Sequence, residues 1–409
     1  MKSSSTKNIQ PGRARGFPET DYPRRILLCV VGLTPQIVTE SMYALARRTP
    51  SFHPTEIHVI TTAEGESRTR LELLDPRRSQ LNKLCKQYRL PLPLCDASTI
   101  HVIKQAGQVV TDLRGAADNA AAADCILDVV RLLTADGQSQ IHFSIAGGRK
   151  TMGFYLGYCA SLLGRVQDEM SHVLINPEFE NLPAFFFPPK PPEVIIDRNN
   201  KPHDTVNAEV DMAPVAFWRL RTQLPNDLLQ TGRSFSETVL RLNALQGKPS
   251  LTLRLLPPKR TNAAAGYQAL AAGYEVRLTR KGFALLWMFA RLAKSPRESD
   301  RSLIAKNWLA SYDRIALAVY GAITGKGQIY DKAVAVKGKS SGRTSIPRNE
   351  VDKLNKLLRE SLGTTADKIY GITVTGRNEG PRNENASYTL SLPPSAITLE
   401  DVGRLADQT

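Results

Sequence analysis

The sequence has few of the residues that build metal centres or disulfide frameworks. Its five cysteines, at positions 29, 85, 95, 125 and 159, include no Cys-x-x-Cys pair and no histidine at zinc-finger spacing. We therefore expect no metal site and no disulfide, but reduced and mostly buried thiols of a cytoplasmic protein. No apolar run reaches transmembrane length, and the polar residues 1–23 predict a disordered lead-in, so we expect no membrane partner.

Histidine and nucleotide-binding glycine motifs are also scarce. All six histidines lie at or before His203, and the turn after the first predicted strand lacks Gly-x-Gly-x-x-Gly. That absence disfavours a dinucleotide, and we expect no cofactor. Positive charge is in excess, with a net charge of +15 over 409 residues. Such a charge favours an anionic partner and leaves nucleic acid, a nucleotide and an acidic membrane open.

Short β-branched runs alternate with helical patterns from Arg24 to about Pro188. The predicted strands are RRILLCVVG, EIHVITTA, IHFSIAG and SHVLINP, and the predicted helices are IVTESMYALAR, SRTRLELLDPRRSQLNKLCKQYR, AADCILDVVRLLT and KTMGFYLGYCASLLG. This alternation predicts a Rossmann-like α/β domain with a mostly parallel sheet over 24–190. The Pro-rich segment 184–204 predicts a boundary near residue 190 and a connecting region over 191–275.

Residues 276–409 have the pattern of a winged helix-turn-helix domain. A β-like VRLT precedes the helix RKGFALLWMFARLAKS, further helical runs follow, and the β-like runs YGITVTG and ASYTLSL flank a polar loop. Residues 277–348 carry fifteen Lys or Arg against four Asp or Glu. The candidate DNA contacts are Arg348, Lys353, Lys356, Arg359 and Arg377. Because Glu350, Asp352 and Glu360 share the helix 348–362, a purely structural role is equally open.

The first candidate anion site is VVGLTPQIVTE, residues 30–40. Gly32 permits a tight turn after the strand, and Thr34 with Pro35 predicts an N-cap and first position for the next helix. Backbone N–H groups and the positive helix end are then exposed beyond the strand, which suits an anion. An ordinary βα turn explains the pattern equally well.

The second candidate site is SIAGGRKTMGFYLGY, residues 144–158. Gly147 and Gly148 let the backbone turn closely, while Arg149 and Lys150 supply a planar fork of donors and a mobile point charge for phosphate oxygens. Two such loops at the carboxyl ends of parallel strands converge on the crevice where α/β sheets bind ligands. Solvated charges after a tight turn are the alternative.

Further polar residues follow other predicted strands. Asp112 and Arg114 lie in VVTDLRGAADN, and Thr62 and Glu64 follow the second strand. They either line the same pocket or remain at the surface, where Asp112 and Arg114 would form an ion pair.

These motifs resemble the CARF (CRISPR-associated Rossmann fold) family of type III CRISPR systems. The resemblance rests on the turn 32–36, the stretch 112–114, the run 144–152 and the segment SLLGRVQDEMSHVLI, and it covers residues 24–190. It implies a homodimer that binds a ring of 3′–5′-linked adenylates across its two-fold axis. Some members of the family, the ring nucleases, cleave the bound ring without a metal ion.

The resemblance also implies roles for individual residues. Lys150 would stabilise charge on the reacting phosphate, with Thr34 and Gln36 against the ribose-phosphate backbone, and these three form the expected catalytic group. The expected ligand-binding residues are Gly32, Leu33, Pro35, Thr62, Asp112, Arg114, Ser144, Gly147, Gly148, Arg149 and Thr151. Because the ribose 2′-OH is itself the nucleophile, in-line geometry and charge stabilisation suffice. Neither loop contains a histidine, so we expect slow turnover.

Two functions from different classes remain open at this stage. The leading hypothesis is a dimeric ring nuclease that cleaves cyclic tetra-adenylate and ends type III signalling in antiviral defence. The alternative is a ring-gated transcription regulator that binds DNA through the winged helix without cleaving the ring. A HEPN ribonuclease effector is disfavoured, because the formal Arg-x4-His match at Arg198 and His203 falls in a Pro-flanked segment.

Overall fold

The computed structural model describes residues 22–180, 182–230, 232–256, 266–304, 317–324, 348–375 and 386–401. Contacts divide the chain into two compact units, Met1–Arg221 and Thr222–Thr409. The first unit thus continues past the boundary that the Pro-rich segment predicts near residue 190.

The first unit contains ten strands and six α-helices among its described residues. The strands are β1 (Arg24–Val30), β2 (Glu56–Thr61), β3 (Ile100–Val102), β4 (Lys104–Gln105), β5 (Gln108–Val109), β6 (Ser139–Ser144), β7 (Glu169–Ile175), β8 (Val194–Ile196), β9 (Pro202–Asp204) and β10 (Val210–Pro214). The helices are α1 (Gln36–Arg47), α2 (Ala63–Thr69), α3 (Gln80–Tyr88), α4 (Ala116–Thr134), α5 (Lys150–Leu163) and α6 (Pro177–Glu180).

The central sheet is mixed but mostly parallel, with strand order β10-β7-β6-β1-β2-β3. All neighbouring pairs are parallel except β10 with β7. Leu27 and Cys29 of β1 pack in the core cluster that includes α1 and α3. Leu28, which lies between them in the strand, is fully buried as well. Successive side chains of a strand point to opposite faces, so both faces are covered. The predicted α/β architecture with a mostly parallel sheet is confirmed.

Residues 191–221 belong to this sheet domain. Strand β10 extends the sheet through its pairing with β7. The guanidinium of Arg219 donates to the backbone oxygens of Arg165 and Asp168, and that of Arg221 donates to the backbone oxygen of Leu163. The short strands of this segment include prolines at their ends, since Pro202 begins β9 and Pro214 ends β10.

The long helix predicted over residues 67–89 is interrupted in the structure. Helix α2 runs into a π-helical turn, Arg70–Leu74, and α3 begins at Gln80. Pro76 disfavours helical backbone at the preceding residue, and the Ser79 side chain accepts from the N–H of Asn82 to start α3. A serine cap after a proline is the sequence signal for this interruption.

The second unit contains seven strands and five α-helices among its described residues. The strands are β11 (Leu251–Leu256), β12 (Gly266–Ala271), β13 (Tyr274–Glu275), β14 (Ser302–Ile304), β15 (Ile372–Thr375), β16 (Ser387–Leu390) and β17 (Ile397–Asp401). The helices are α7 (Phe235–Gln246), α8 (Arg280–Ala293), α9 (Leu317–Thr324), α10 (Arg348–Leu362) and α11 (Thr364–Tyr370).

Two sheets pack around α8 in this unit. One has the order β13-β12-β11-β17 and the other the order β14-β16-β15. Phe283, Leu286 and Phe289 of α8 are at most 1% exposed within a single core cluster. The β-like run VRLT is not a strand: Thr279 instead caps α8, accepting from the N–H of Gly282 at 3.1 Å. The region predicted as a connection, 191–275, contains α7 and β8 to β13.

Among the described residues, no helix has both the length and the apolar character needed to cross a membrane.

Candidate functional site

Two predicted loops meet at the carboxyl ends of the adjacent strands β1 and β6. A methyl group placed on Gly32 would lie 3.5 Å from the Cα of Gly148, and one on Gly147 would lie 2.5 Å from the backbone oxygen of Val30. Gly148 has a φ of +76°, a conformation that disfavours side chains. Glycine is therefore required at positions 147 and 148, whereas the contact at Gly32 is of ordinary van der Waals length. The chain leaves β1 toward β2 and β6 toward β7, so the loops lie at the switch point of the sheet.

The loop after β2 joins the same cluster. A methyl group on Gly65 would lie 2.6 Å from the backbone oxygen of Gly32. Thr62 is 5% exposed and caps α2, where its hydroxyl accepts from the N–H of Gly65 at 3.4 Å. The structure thus places Thr62 beneath the site as a support for α2.

The N-cap position of α1 lies one residue later than the sequence predicts. Helix α1 begins at Gln36, Pro35 occupies the N-cap position with right-handed helical torsion angles, and no side chain caps the helix. Proline at this position cannot accept a hydrogen bond through its side chain, so the Thr34 cap is wrong. Leu33 and Thr34 are exposed and directly precede the N-terminus of α1.

Arg149 is held by a carboxylate. Its Nε and Nη2 donate to the two oxygens of Asp112 at 3.2 and 2.5 Å, and Arg114 Nε donates to Asp112 at 3.3 Å. The Arg149 guanidinium lowers the pKa of Asp112 below its usual range, and Asp112 raises the pKa of Arg149. Asp112 therefore pairs both with Arg114, as the surface ion pair predicted, and with Arg149, the predicted phosphate ligand.

Lys150 opens α5 and is exposed. Its ammonium group has no hydrogen bond or ion pair within the part of the chain that the structure describes. The hydroxyl of its neighbour Thr151 donates to the side-chain oxygen of Asn119 at 2.7 Å. Lys150 lines a surface depression with Phe154 and Trp218, which are 63% and 74% exposed.

Ser144 lies under the loops. It is fully buried at the end of β6, and its hydroxyl is 2.9 Å from that of Ser41 in α1. This contact joins the sheet to α1 below the strand-1 turn. The structure does not bring Ser144 to the surface of the site.

Thr34 and Gln36 line a cavity of about 690 Å³ beside the N-terminus of α1, which we call the α1 cavity. Gln36 Nε2 donates to the backbone oxygen of Pro183 at 3.0 Å. Gln36 Oε1 and His172 Nδ1, in the same wall, are buried and have no hydrogen-bond partner among the described residues. A buried polar atom without a hydrogen-bond partner lowers the stability of the fold, so two such atoms in one wall are unusual.

Glu40 also lines the α1 cavity. It is 5% exposed, and burial raises the pKa of its carboxyl to about 8. A buried carboxyl group of this kind is protonated at neutral pH and can donate a hydrogen bond.

Most residues that line the α1 cavity were not among the predicted site residues, and three of these have basic side chains: Arg68 of α2, His172 of β7 and Arg198 of the β8–β9 hairpin. Arg68 lies in a run read as one long helix, and Arg198 in a segment read as a connection. His172 lies in the middle of β7, and nothing in the sequence distinguishes it from the other residues of that predicted strand.

A family described as CRISPR-associated protein NE0113 matches residues 34–248, which is more than half of the chain. The chain belongs to the NE0113 family of CRISPR-associated proteins. The match covers the strand-1 turn from Thr34, the loop 144–151 and the β8–β9 hairpin. Comparison with curated proteins gives no match.

The formal Arg-x4-His match of this NE0113-family chain, which the sequence analysis disfavours as a HEPN site, is part of the β8–β9 hairpin. His203 is 8% exposed and donates to Asp197 at 3.2 Å, next to the ring of Phe179. Arg198 faces the α1 cavity instead. The two residues therefore do not form a joint catalytic pair.

The candidate DNA contacts of the NE0113-family chain lie on α10, apart from Arg377, which lies outside the described residues. Lys353 Nζ is 3.0 Å from Glu350 Oε1, and Lys356 Nζ is 3.9 Å from Glu360 Oε1. Arg348 begins the helix and Arg359 lies in its last turn. Carboxylates thus accompany both exposed lysines, while Leu354 and Leu358 bury the opposite side of the helix.

Proposed function

We propose that this NE0113-family chain is a CRISPR-associated ring nuclease that binds and cleaves cyclic oligoadenylate, most readily cyclic tetra-adenylate. The observation that supports this most is the backbone contact of the strand-1 turn with the Gly147–Gly148 loop, beside the exposed Lys150. Two glycine-lined turns and a helix N-terminus at a switch point suit a phosphodiester backbone. Arg149, once released from Asp112, adds a guanidinium fork.

Cleavage in this proposal begins with the ribose 2′-oxygen, which attacks the adjacent phosphorus as its proton passes to water. The bond from phosphorus to the 5′-oxygen breaks, and that oxygen takes up a proton. The products are linear and end in a 2′,3′-cyclic phosphate. The Lys150 ammonium stabilises charge on the non-bridging oxygens, and Thr34 positions the ribose.

A homodimer is part of this proposal. The aromatic side chains Phe154 and Trp218 are largely exposed and line the same surface depression as Lys150. A second copy of the chain docked on this face places its own Lys150 next to the first. One ring then meets phosphate-holding groups from both copies.

The direct test is incubation of the purified chain, in EDTA, with cyclic tri-, tetra- and hexa-adenylate, followed by chromatography. We expect linear products with a 2′,3′-cyclic phosphate from cyclic tetra-adenylate. Intact rings after prolonged incubation would contradict the enzyme and leave a binding protein.

A second candidate, a ring-gated transcription regulator, is favoured by the topology of the second unit. Helices α9 to α11 precede the antiparallel pair β15–β16, and β14 adds to that pair as expected for a winged helix. The regulator predicts that ring binding changes the affinity for promoter DNA at fixed salt. An unchanged affinity would make this unit a scaffold.

A further inference from the structure

The α1 cavity presents two arginines that the proposed ring binding has not yet used. Arg68 and Arg198 are exposed and line the cavity. Neither side chain makes a hydrogen bond or ion pair with another described residue. Their guanidinium donors are therefore available to a ligand.

Both arginines are held in place by their supporting elements. Gly65 seats α2 against the backbone oxygen of Gly32, and the π-helical turn Arg70–Leu74 follows Arg68 directly. Turns of the π type are rare and occur often at functional sites. The backbone that carries Arg68 is thus held close to the strand-1 turn.

Arg198 stands at the tip of the β8–β9 hairpin. Asp197 Oδ1 accepts from the N–H groups of Asn199 and Lys201 at 2.8 and 2.9 Å. Ile195 anchors the hairpin in a cluster with Phe179 and Phe185. The tip therefore has a defined turn on a packed base.

The remaining wall of the α1 cavity has two kinds of surface. Leu33, Ile37, Val173 and Phe185 supply an apolar part, whereas Glu72 and Glu180 are carboxylates. A nucleotide matches this combination: the base packs on apolar groups, ribose hydroxyls donate to carboxylates, and phosphate binds guanidinium forks. The unpartnered Gln36 Oε1 in this wall marks the side nearest the strand-1 turn.

We infer that the α1 cavity is a nucleotide subsite in which Arg68 and Arg198 bind a phosphate and the apolar wall holds the base. The inference rests on the proposed function, because Thr34 and Gln36 join this cavity to the ring-binding loops. It assigns binding roles to Arg68 and Arg198 and a ribose-holding role to Glu72 and Glu180.

The test compares the full chain with Arg68→Ala, Arg198→Ala and the double variant, using calorimetry with cyclic tetra-adenylate, 5′-AMP and adenosine. Arg77→Ala, an exposed arginine outside the α1 cavity, is the matched control. We expect each cavity variant to weaken ring binding about tenfold, and the control to bind as the unmodified chain does. The double variant should also lose the preference for 5′-AMP over adenosine.

The outcomes separate the two proposals. Ring binding that is weakened by Lys150→Ala but unchanged in the double cavity variant would overturn the subsite and leave the proposed function standing. If the unmodified chain binds no ring, the proposed function fails, and the ratio of 5′-AMP to adenosine affinity decides the subsite alone. A ratio that is the same in the unmodified chain and the double variant would overturn it.

Discussion

The carboxylate of Asp112 accepts hydrogen bonds from the Arg149 guanidinium, the same group that binds phosphate in the proposed function. The pair is bidentate, and the Arg149 side chain is 56% exposed, so solvent screens it and a ligand can displace the carboxylate. Asp112 therefore competes with the phosphate of an incoming ring.

Asp112→Asn should strengthen binding of cyclic tetra-adenylate by about fivefold, because the neutral amide competes less well for Arg149. The asparagine oxygen can still accept from the N–H of Leu113, which keeps the loop in place. Titration calorimetry at fixed salt measures the change. Glu64→Gln, which neutralises a nearby carboxylate that makes no bond to Arg149, is the control and should have a smaller effect. Weaker binding by Asp112→Asn would show that Asp112 contacts the ligand itself.

A second residue pair, His58 and His101, lies on β2 and β3. Their rings stack at 5.2 Å, with 2.9 Å between His58 Nδ1 and His101 Nε2. Burial lowers the pKa of both imidazoles, that of His101 to about 4. Protonation of both would also leave no acceptor for the shared hydrogen bond.

The unfolded chain takes up these protons near pH 6.5 and the folded chain takes up that of His101 near pH 4, so stability falls as pH falls between these values. Glu40 acts in the opposite direction, because its raised pKa makes stability fall as pH rises toward about 8. The comparison of His101→Gln with the unmodified chain cancels the contribution of Glu40. Between pH 7 and pH 5 the variant should lose about 1 kcal/mol less unfolding free energy in urea titrations. Equal losses would contradict the assigned imidazole shifts.

At the residue scale, the sequence predicted that the backbone turns closely at Gly147 and Gly148, and the structure has such a turn there, with a positive φ at Gly148. The binding roles of Arg149 and Lys150 stay predictions. The sequence did not predict Arg68, His172 or Arg198. Nothing local distinguishes an arginine that faces a cavity from one on an open surface, because the difference lies in elements that are distant in the chain.

At the scale of elements, the site depends on how closely three loops approach. The N-terminus of α2 and the loop before α5 both reach the strand-1 turn through glycine. Added side-chain atoms in such contacts must displace backbone, which costs stability.

Gly147→Ala should destabilise the chain by about 1–3 kcal/mol, because the methyl group would lie 2.5 Å from the backbone oxygen of Val30. Gly137→Ala is the matched control, since a methyl group there meets nothing within 4 Å. Urea denaturation compares the two variants. Equal stabilities would mean that the loops do not need this close contact.

Helices and strands could be predicted where the pattern of apolar residues along the sequence was clear. The strands β1, β2, β6 and β7 match continuous apolar runs, as expected for a sheet covered on both faces. The short strands β8 to β10 were not predicted, because Pro-rich flanks dominate their composition. Their pairing depends on partners elsewhere in the sheet, which local propensity does not contain.

At the scale of the whole molecule, the exposed side chains of Phe154 on α5 and of Trp218 mark the face on which the proposed second copy would dock. Phe154→Asp should therefore lower the molar mass in light scattering from that of two chains to that of one, because a carboxylate would be buried in the interface. Val194→Asp is the control: Val194 is 57% exposed on β8, outside this face. A single-chain mass for the unmodified protein would contradict the dimer.

The central claim is that Lys150 stabilises charge during cleavage of a bound ring. The most direct measurement is the single-turnover rate of cyclic tetra-adenylate cleavage in EDTA by the unmodified chain, Lys150→Ala and Lys86→Ala, an exposed lysine of α3. We predict that Lys150→Ala lowers the rate at saturating ring by about 100-fold or more, whereas Lys86→Ala retains it. Undiminished cleavage by Lys150→Ala would contradict the account.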